Sequence, residues 1–280
     1  MVMLDYLLQF IEEDAPNGDI TSVAIIPDIT CNAVIRAEQE GIIAGLEEAS
    51  TLFFHFDVSV KHHAKDGDAV CHNDTLLFLN GDAKKILLIE RTALNIIGRM
   101  SGIANQTRKI ADIVSAVNPR CRVAATRKTC PGFRILDKKA VKIGGGDPHR
   151  MNLSDGMLIK DNHLALVPLR NAILAAKKDS AYKKIEVEVE TSDDALFAAK
   201  AGADIILLDN MSPDQITRAI RLLNNESLRD RVIIEISGGI DESSLQQYAE
   251  LDVDVISLGV LTHSVKNFSV NLEIIPQIIP

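Results

Sequence analysis

The first fourteen residues, MVMLDYLLQFIEED, space their apolar side chains at the helical period and read as an amphipathic opening helix. After them, "CNAVIRAEQEGIIAG" reads as extended segments broken at Gly41 and Gly45. "DVSVKHHAKDGDAV" alternates apolar and polar positions up to a turn at Asp66-Gly67. Asp82 then caps a long stretch of helical period, "AKKILLIERTALNIIGRMSGIANQTRKIADIVSAV", which predicts one or two helices. Gly98 and Gly102 share one face of it, where close helix packing or a substrate contact would each use a bare surface. At Asn118-Pro119 the pattern changes to strand, turn, helix, repeated. The strands are predicted at "RVAAT" (122–126), "GMLIK" (156–160), "KIEVEVE" (184–190), "DIILLD" (204–209), "RVIIEIS" (231–237) and "DVISLG" (254–259). Helical patterns such as "SDDALFAAKAG" and "SPDQITRAIRLLN" separate several of them, which implies a parallel sheet. Six such strands in so short a span point to closure into a small α/β barrel. "VIRAEQE" and "NFSVNLEIIP" do not fit the repeat and are assigned to the first domain. The expected boundaries are 1–117, 118–265 and a returning tail, 266–280.

In parallel α/β barrels, side chains from different strands converge at the C-terminal strand ends. Those ends carry Thr126-Arg127-Lys128, Lys160-Asp161-Asn162-His163, Glu188 and Glu190, Asp209-Asn210, Ser237-Gly238-Gly239, and Gly259. Together they make a ring with a cationic and an anionic half. Between Arg120 and His163 there are ten Lys or Arg against four Asp, an excess that calls for an anionic ligand. Lys138, Lys139 and Lys142 read as the exposed face of a helix; Arg127, Lys128, His149, Arg150 and Lys160 sit at turns or strand ends and are the better candidates. On the anionic side Glu186 and Glu188 share a strand face. A carboxylate here and Asp209 could hold Mg²⁺ or ribose hydroxyls; an inner-barrel ion pair with Lys128 or Lys160 is the alternative. "EISGGID" offers amides and a hydroxyl where a helix is expected to start, and "SLGVLTHS" adds Gly259 and His263, together a phosphate site. Gly144–Gly146 lack the spacing of a nucleotide loop. They read as a sharp turn that delivers His149 and Arg150 to the cavity.

Composition narrows the class. With 46% apolar and 25% charged residues in 280 positions, the chain has the make-up of a soluble globular protein. A net charge of −9 argues against a nucleic-acid partner. No apolar run approaches the ~20 residues of a membrane span. The acidic N-terminal segment does not read as a signal peptide. Scattered Cys31, Cys71, Cys121 and Cys130, without C-x-x-C, fit a reducing compartment, so a cytoplasmic protein is expected.

Long blocks along nearly the whole chain resemble the quinolinate phosphoribosyltransferase family, the carboxylating nicotinate-nucleotide pyrophosphorylases. They are "EDAPNGDITS", "GIIAGLEEA", "DGDAV", "NGDAKKILLIERTALNIIGRMSGIA", "TRKTCPGFR", "KIGGGDPHRMNLSDGMLIKDNH", "EVEVE", "ADIILLDN", "EISGGI" and "DVISLGVLTHS". The resemblance implies an N-terminal α+β open sandwich and an incomplete parallel α/β barrel, the type II phosphoribosyltransferase architecture, working as a homodimer or a hexamer. It implies conversion of quinolinate and phosphoribosyl pyrophosphate, with Mg²⁺, to nicotinate mononucleotide, pyrophosphate and CO2 in NAD biosynthesis. Arg127, Lys128, His149, Arg150 and Lys160 match the quinolinate pocket, and Arg91 would reach in from the partner subunit. Glu188 and Asp209 match the acidic residues of the phosphoribosyl pyrophosphate and Mg²⁺ site, where Lys128 and Lys160 also contribute. Ser237, Gly238, Gly239, Gly259 and His263 match phosphate-binding turns; Lys128, Glu188 and Asp209 carry the catalytic assignment. Gly98, Pro148 and Ile236 depart from the family pattern beside functional positions. Two rival classes use the same residues: a Schiff-base lyase with Lys128 or Lys160 as nucleophile, and a non-catalytic anion-binding protein.

Overall fold

The computed structural model describes residues 2–276; Met1 and residues 277–280 of the expected tail lie outside the described residues. In chain order, α1 (Val2–Asp14), α2 (Ile20–Ile25), β1 (Thr30–Ala37), β2 (Gly41–Ile42), α3 (Leu46–His55), β3 (Ser59–His62), β4 (Ala69–Val70), β5 (Thr75–Asp82) and α4 (Ala83–Val117) come first. They are followed by β6 (Arg122–Ala124), α5 (Arg134–Ile143), β7 (Met157–Ile159), α6 (Asp161–Leu164), α7 (Leu169–Asp179), β8 (Ile185–Val189), α8 (Ser192–Ala201) and β9 (Ile205–Asp209). Next come α9 (Pro213–Asn225), β10 (Ile233–Ser237), α10 (Leu245–Ala249), β11 (Val255–Ser257), α11 (Val260–His263) and β12 (Val270–Ile275).

The chain forms two compact units. One runs up to Gln106 and adds Lys142–Gly144 and the residues from Val265 on; the other comprises Thr107–Val141 and Gly145–Ser264. The division therefore falls inside α4 and not after residue 117. Asn118-Pro119 ends the helix, but Ile110 and Val114, on the stretch of α4 assigned to the second unit, are already buried. The helix itself is single and continuous, and Asp82 opens it by accepting the Lys84 N–H at 2.8 Å and the Lys85 N–H at 3.2 Å.

The first unit holds an antiparallel sheet in the order β12-β1-β5-β3 and a β2-β4 pair. The chain returns to it through β12, which runs beside β1 from Val270 opposite Ala37 to Ile275 opposite Asn32. Gly98 and Gly102 serve this return as packing surfaces. A Cβ on Gly102 would stand 2.3 Å from the Lys266 carbonyl oxygen, and one on Gly98 2.9 Å from that of Phe268. The Phe268 N–H donates to the Gly98 carbonyl at 2.8 Å. A bare surface at Gly98 is what this close approach requires.

The second unit is one parallel sheet in the order β6-β11-β10-β9-β8-β7. All six strands predicted for it are present. Between its outermost strands, β6 and β7, there is no ladder, so the barrel is incomplete; a single bridge joins Ala124 to Asp147 in the segment that crosses the seam. Helices cover the outside. Ser212 and Gln215 form a capping box around Pro213 at the start of α9, whose buried face is Ile216, Ala219, Ile220 and Leu223. Each large member of that stripe contributes roughly 1.5–3 kcal/mol through burial. With their outer faces so covered, the strands have an inner face free for polar residues.

Gly102→Ala is expected to destabilise the protein by about 1–3 kcal/mol, because the methyl group meets backbone that has to move. Urea unfolding measures this, and an unchanged midpoint would contradict the close packing.

Candidate active site

The C-terminal ends of the parallel strands surround a cavity of ≈ 470 Å³. Arg127, Lys128, His149, Arg150 and Lys160 line it, as do Glu188, Asp209, Ser237, Gly238 and Gly239. Ten of the thirteen expected site residues thus meet in one place. Gly259 and His263 stand just outside, against Lys128: a Cβ on Gly259 would lie 2.9 Å from the His263 ring and 3.0 Å from Lys128 Cδ. The Thr262 hydroxyl donates to the Lys128 carbonyl at 2.9 Å, tying this turn to the end of β6. Arg91 is exposed on α4, in the first unit.

The charges divide as the strand ends predict. Arg127, Lys128, Arg150 and Lys160 come from β6, β7 and the seam segment, whereas Glu186, Glu188, Asp209 and Glu235 come from β8, β9 and β10. Lys160 and Glu188 form an ion pair across the top, the arrangement held open as an alternative to metal or ribose binding. Arg127 Nε is buried without a hydrogen-bond partner among the described residues. A donor in that position lowers the free energy of any anion that reaches it.

Asn210 orders the anionic wall. Held at φ 54°, it donates its backbone N–H to the Ser237 carbonyl at 2.8 Å and its side-chain amide to Asp209 at 2.6 Å. Gly238 has to be glycine there: at φ 83°, a Cβ would fall 2.3 Å from Asn210 Oδ1. The helix expected at Ser237-Gly238-Gly239 starts later, at Leu245. Asp241 moves the start, because its Oδ1 accepts the N–H groups of Ser243 at 3.0 Å and Ser244 at 2.9 Å. The amides available at Gly238 and Gly239 are those of two successive left-handed residues, a nest and not a helix terminus.

The glycine triplet follows α5 and turns the chain through Gly145, at φ 90°. His149, also left-handed at φ 55°, is fixed by its N–H to Asp147 Oδ1 at 2.7 Å. Its Nδ1 accepts the Arg150 N–H at 2.8 Å, and its Nε2 faces Glu235 at 3.3 Å and Glu186 at 3.8 Å. These three side chains bring ligating atoms within 4.8 Å of one another. The Nδ1 contact places the ring proton on Nε2, so no lone pair points at the carboxylates and the trio does not suit a cation. Burial disfavours a charged ring, but the hydrogen bond and charge of Glu235, with the charge of Glu186, outweigh it and raise the His149 pKa. A second proton would have to displace the Arg150 amide.

Three residues here were missed or misread. Glu235 was not singled out, although a carboxylate in the apolar run "VIIEI" is itself a signal of a polar inner face. Glu186 was seen only as a neighbour of Glu188; buried, with Oε1 unpartnered, its pKa is raised to about 7 by burial and the charge of Glu235, against His149, Arg150 and Lys160. Lys138, expected on an exposed helix face, is 1% exposed and points inward to the seam segment. Lys139 and Lys142 are half-buried and exposed.

Models of the two domains of quinolinate phosphoribosyl transferase match this chain, the N-terminal domain over residues 19–101 and the C-terminal domain over residues 103–273. The chain belongs to the quinolinate phosphoribosyl transferase family. Among its relatives is the probable carboxylating nicotinate-nucleotide pyrophosphorylase of Methanothermobacter thermautotrophicus, 44% identical over 97% of this chain and 99% of the relative. The crystal structure of NadC from Streptococcus pyogenes superposes with a TM-score of 0.88 at 37% identity, over 97% of this chain and 96% of that one. Nicotinate-nucleotide pyrophosphorylase from Ehrlichia chaffeensis does so with a TM-score of 0.90 at 34% identity, over 96% and 97%. The α/β architecture and the family resemblance read from the sequence hold.

A carboxyl whose pKa is raised in the folded state binds its proton more tightly there than in the unfolded chain. Without divalent cations, Glu186 therefore favours folding below its ordinary pKa of 4.5, and this is lost as pH rises through about 7. Glu186→Gln keeps a neutral group, so its stability relative to wild type should increase from pH 5 to pH 8 by roughly 1–3 kcal/mol. Denaturant midpoints at the two pH values read the difference; a constant gap would count against the raised pKa.

Proposed function

We propose that this protein is a quinolinate phosphoribosyltransferase, which joins quinolinate to phosphoribosyl pyrophosphate and releases nicotinate mononucleotide, pyrophosphate and CO2. The observation that carries this reading is the two-sided cavity. One wall presents Arg127, Lys128, Arg150 and Lys160, with an unpartnered Arg127 Nε, as a dicarboxylate requires; the other presents carboxylates and a glycine nest, as a ribose phosphate requires.

The pyridine nitrogen attacks the anomeric carbon as pyrophosphate leaves, through a transition state with oxocarbenium character. Arg127, Lys128, Arg150 and Lys160 clamp the two carboxylates and aim the nitrogen, while Glu188 and Asp209 face the developing positive charge. His149, its ring nitrogens occupied by Arg150 and Glu235, sets the wall against which the acid lies. Ser237, Gly238 and Gly239 take phosphate, with Gly259 and His263 completing that side through Lys128. Once the ring nitrogen is alkylated it is an electron sink: the adjacent carboxylate leaves as CO2, its electron pair stays on the ring carbon, and a proton from solvent takes its place. No protein nucleophile takes part.

Mg²⁺ belongs to this reading. Glu188 and Asp209, hard oxygen donors at the tops of adjacent strands, fit an ion that uses one or two carboxylates plus phosphate oxygens. When bound, it offsets the charge gathering on pyrophosphate; Lys160 would then exchange Glu188 for a substrate carboxylate. We extend the reading to a cytoplasmic homodimer, or a hexamer of three such dimers, in which exposed Arg91 serves the neighbouring subunit.

The direct test is product: purified protein, Mg²⁺ and both substrates should yield nicotinate mononucleotide and CO2 in equal amounts. A folded sample that binds phosphoribosyl pyrophosphate without turnover would favour the non-catalytic rival, and borohydride trapping of a substrate adduct the lyase. Arg127→Ala should raise KM for quinolinate by roughly 100-fold and that for phosphoribosyl pyrophosphate by less than about 5-fold, the loss of a charged hydrogen-bonding group to one ligand only. Equal losses would remove Arg127 from the clamp. Chelation by EDTA should abolish turnover, with Mg²⁺ restoring it.

A further inference from the structure

Lys138 has no role in the scheme above, and its position is unusual. It lies on α5 among buried neighbours and is 1% exposed. Burial, with the charges of Arg134, Arg127 and Arg150, brings its pKa down to about 8, Asp147 opposing them. An apolar side chain of similar volume would avoid that penalty. What Lys138 does have is a pair of contacts. Its Nζ donates to the Pro148 carbonyl and, at 2.7 Å, to the Arg150 carbonyl. The two acceptors flank His149, the residue held at φ 55°.

A non-glycine residue in the left-handed region costs about 1–3 kcal/mol and persists only where its surroundings over-determine it. Asp147 holds the His149 amide and the Arg150 amide holds its ring, but both contacts are local to the turn. Lys138 ties this turn to α5, reaching across from one side of His149 to the other; Arg134 on the same helix reaches only the next residue, at the Met151 carbonyl, at 3.4 Å. The segment crosses the seam between β6 and β7, where the Asp147 bridge joins it to β6 and His149 meets Glu186 and Glu235; the Lys138 contacts lie on the two carbonyls beyond that bridge. From the turn the Arg150 side chain enters the cavity, its Nη1 steadied by the Gly156 carbonyl at 3.3 Å.

We infer that Lys138 is a positioning residue for the dicarboxylate clamp: by bridging the Pro148 and Arg150 carbonyls it holds the His149 turn so that Arg150 meets the pyridine dicarboxylate. The inference rests on the proposed reaction; wild-type turnover with quinolinate tests that reaction, and the variants below test Lys138.

Lys138→Gln retains one donor head on a shorter stem, and Lys138→Met retains none. KM for quinolinate, measured at saturating phosphoribosyl pyrophosphate, should rise in the order Lys, Gln, Met, reaching roughly 10- to 100-fold for Met, while KM for phosphoribosyl pyrophosphate changes by less than about 3-fold, as for a misplaced group that serves one substrate. Cooperative thermal unfolding of each variant confirms that folded protein is being compared. Unchanged kinetics in Lys138→Met would overturn the inference, as would equal losses for both substrates. Failure of both variants to fold would make Lys138 a structural residue, which also overturns it.

Discussion

Charges inside the ring of parallel strands are what the rest of the second unit has to accommodate. A carboxylate or ammonium removed from water is unfavourable unless an opposite charge or several donors lie within hydrogen-bond reach. Lys160 meets Glu188, His149 stands between Glu186 and Glu235, and Asn210 holds Asp209. The first two contacts join side chains from different strands or loops, so they also fix the relative height of the elements that carry them, while the third orders the end of β9. The apolar outer faces under α8 and α9 tolerate many residues of suitable size. The inner face tolerates few, because losing one partner strands the other.

That asymmetry explains what could be read from the sequence. Strand positions were legible because outward faces need long apolar runs, and α9 because Ser212, Pro213 and Gln215 signal a helix start within four residues. The cationic and anionic halves were legible because strand ends of a barrel face one cavity. Lys138 was not: its neighbours "DKKAVK" look like a solvated helix face, and its burial depends on the Pro148 and Arg150 carbonyls, which arrive from a later segment. The Asp241 turn was hidden for a similar reason, since Ser and Gly are common at helix starts and only a competing side-chain acceptor moves the boundary. The unit boundary inside α4 leaves no mark, as helical period continues unbroken across Gln106 and Thr107.

The two walls also divide the chemistry. Where the proposed reaction puts phosphate, the wall offers backbone, with Gly238 placed where any side chain would strike Asn210. Backbone amides accept any group of the right charge and shape, and they suit a leaving group that must depart. The cationic side is built from long side chains whose placement depends on other residues, and under the proposed reaction it is the side on which discrimination between planar acids is settled. Three of its members follow β6 or β7, the two strands that border the seam.

A closed barrel ties its circumference to strand number and stagger, so a change in one stave is felt by all the others. Here the stave between β6 and β7 is a loop joined to the sheet by one bridge, at Ala124 and Asp147. The residues that line the cavity from it, His149 and Arg150, sit on an insert outside the six-stranded ladder. Under the proposed reaction, an open seam lets acid specificity change by exchange of a short loop, with the wall opposite left in place.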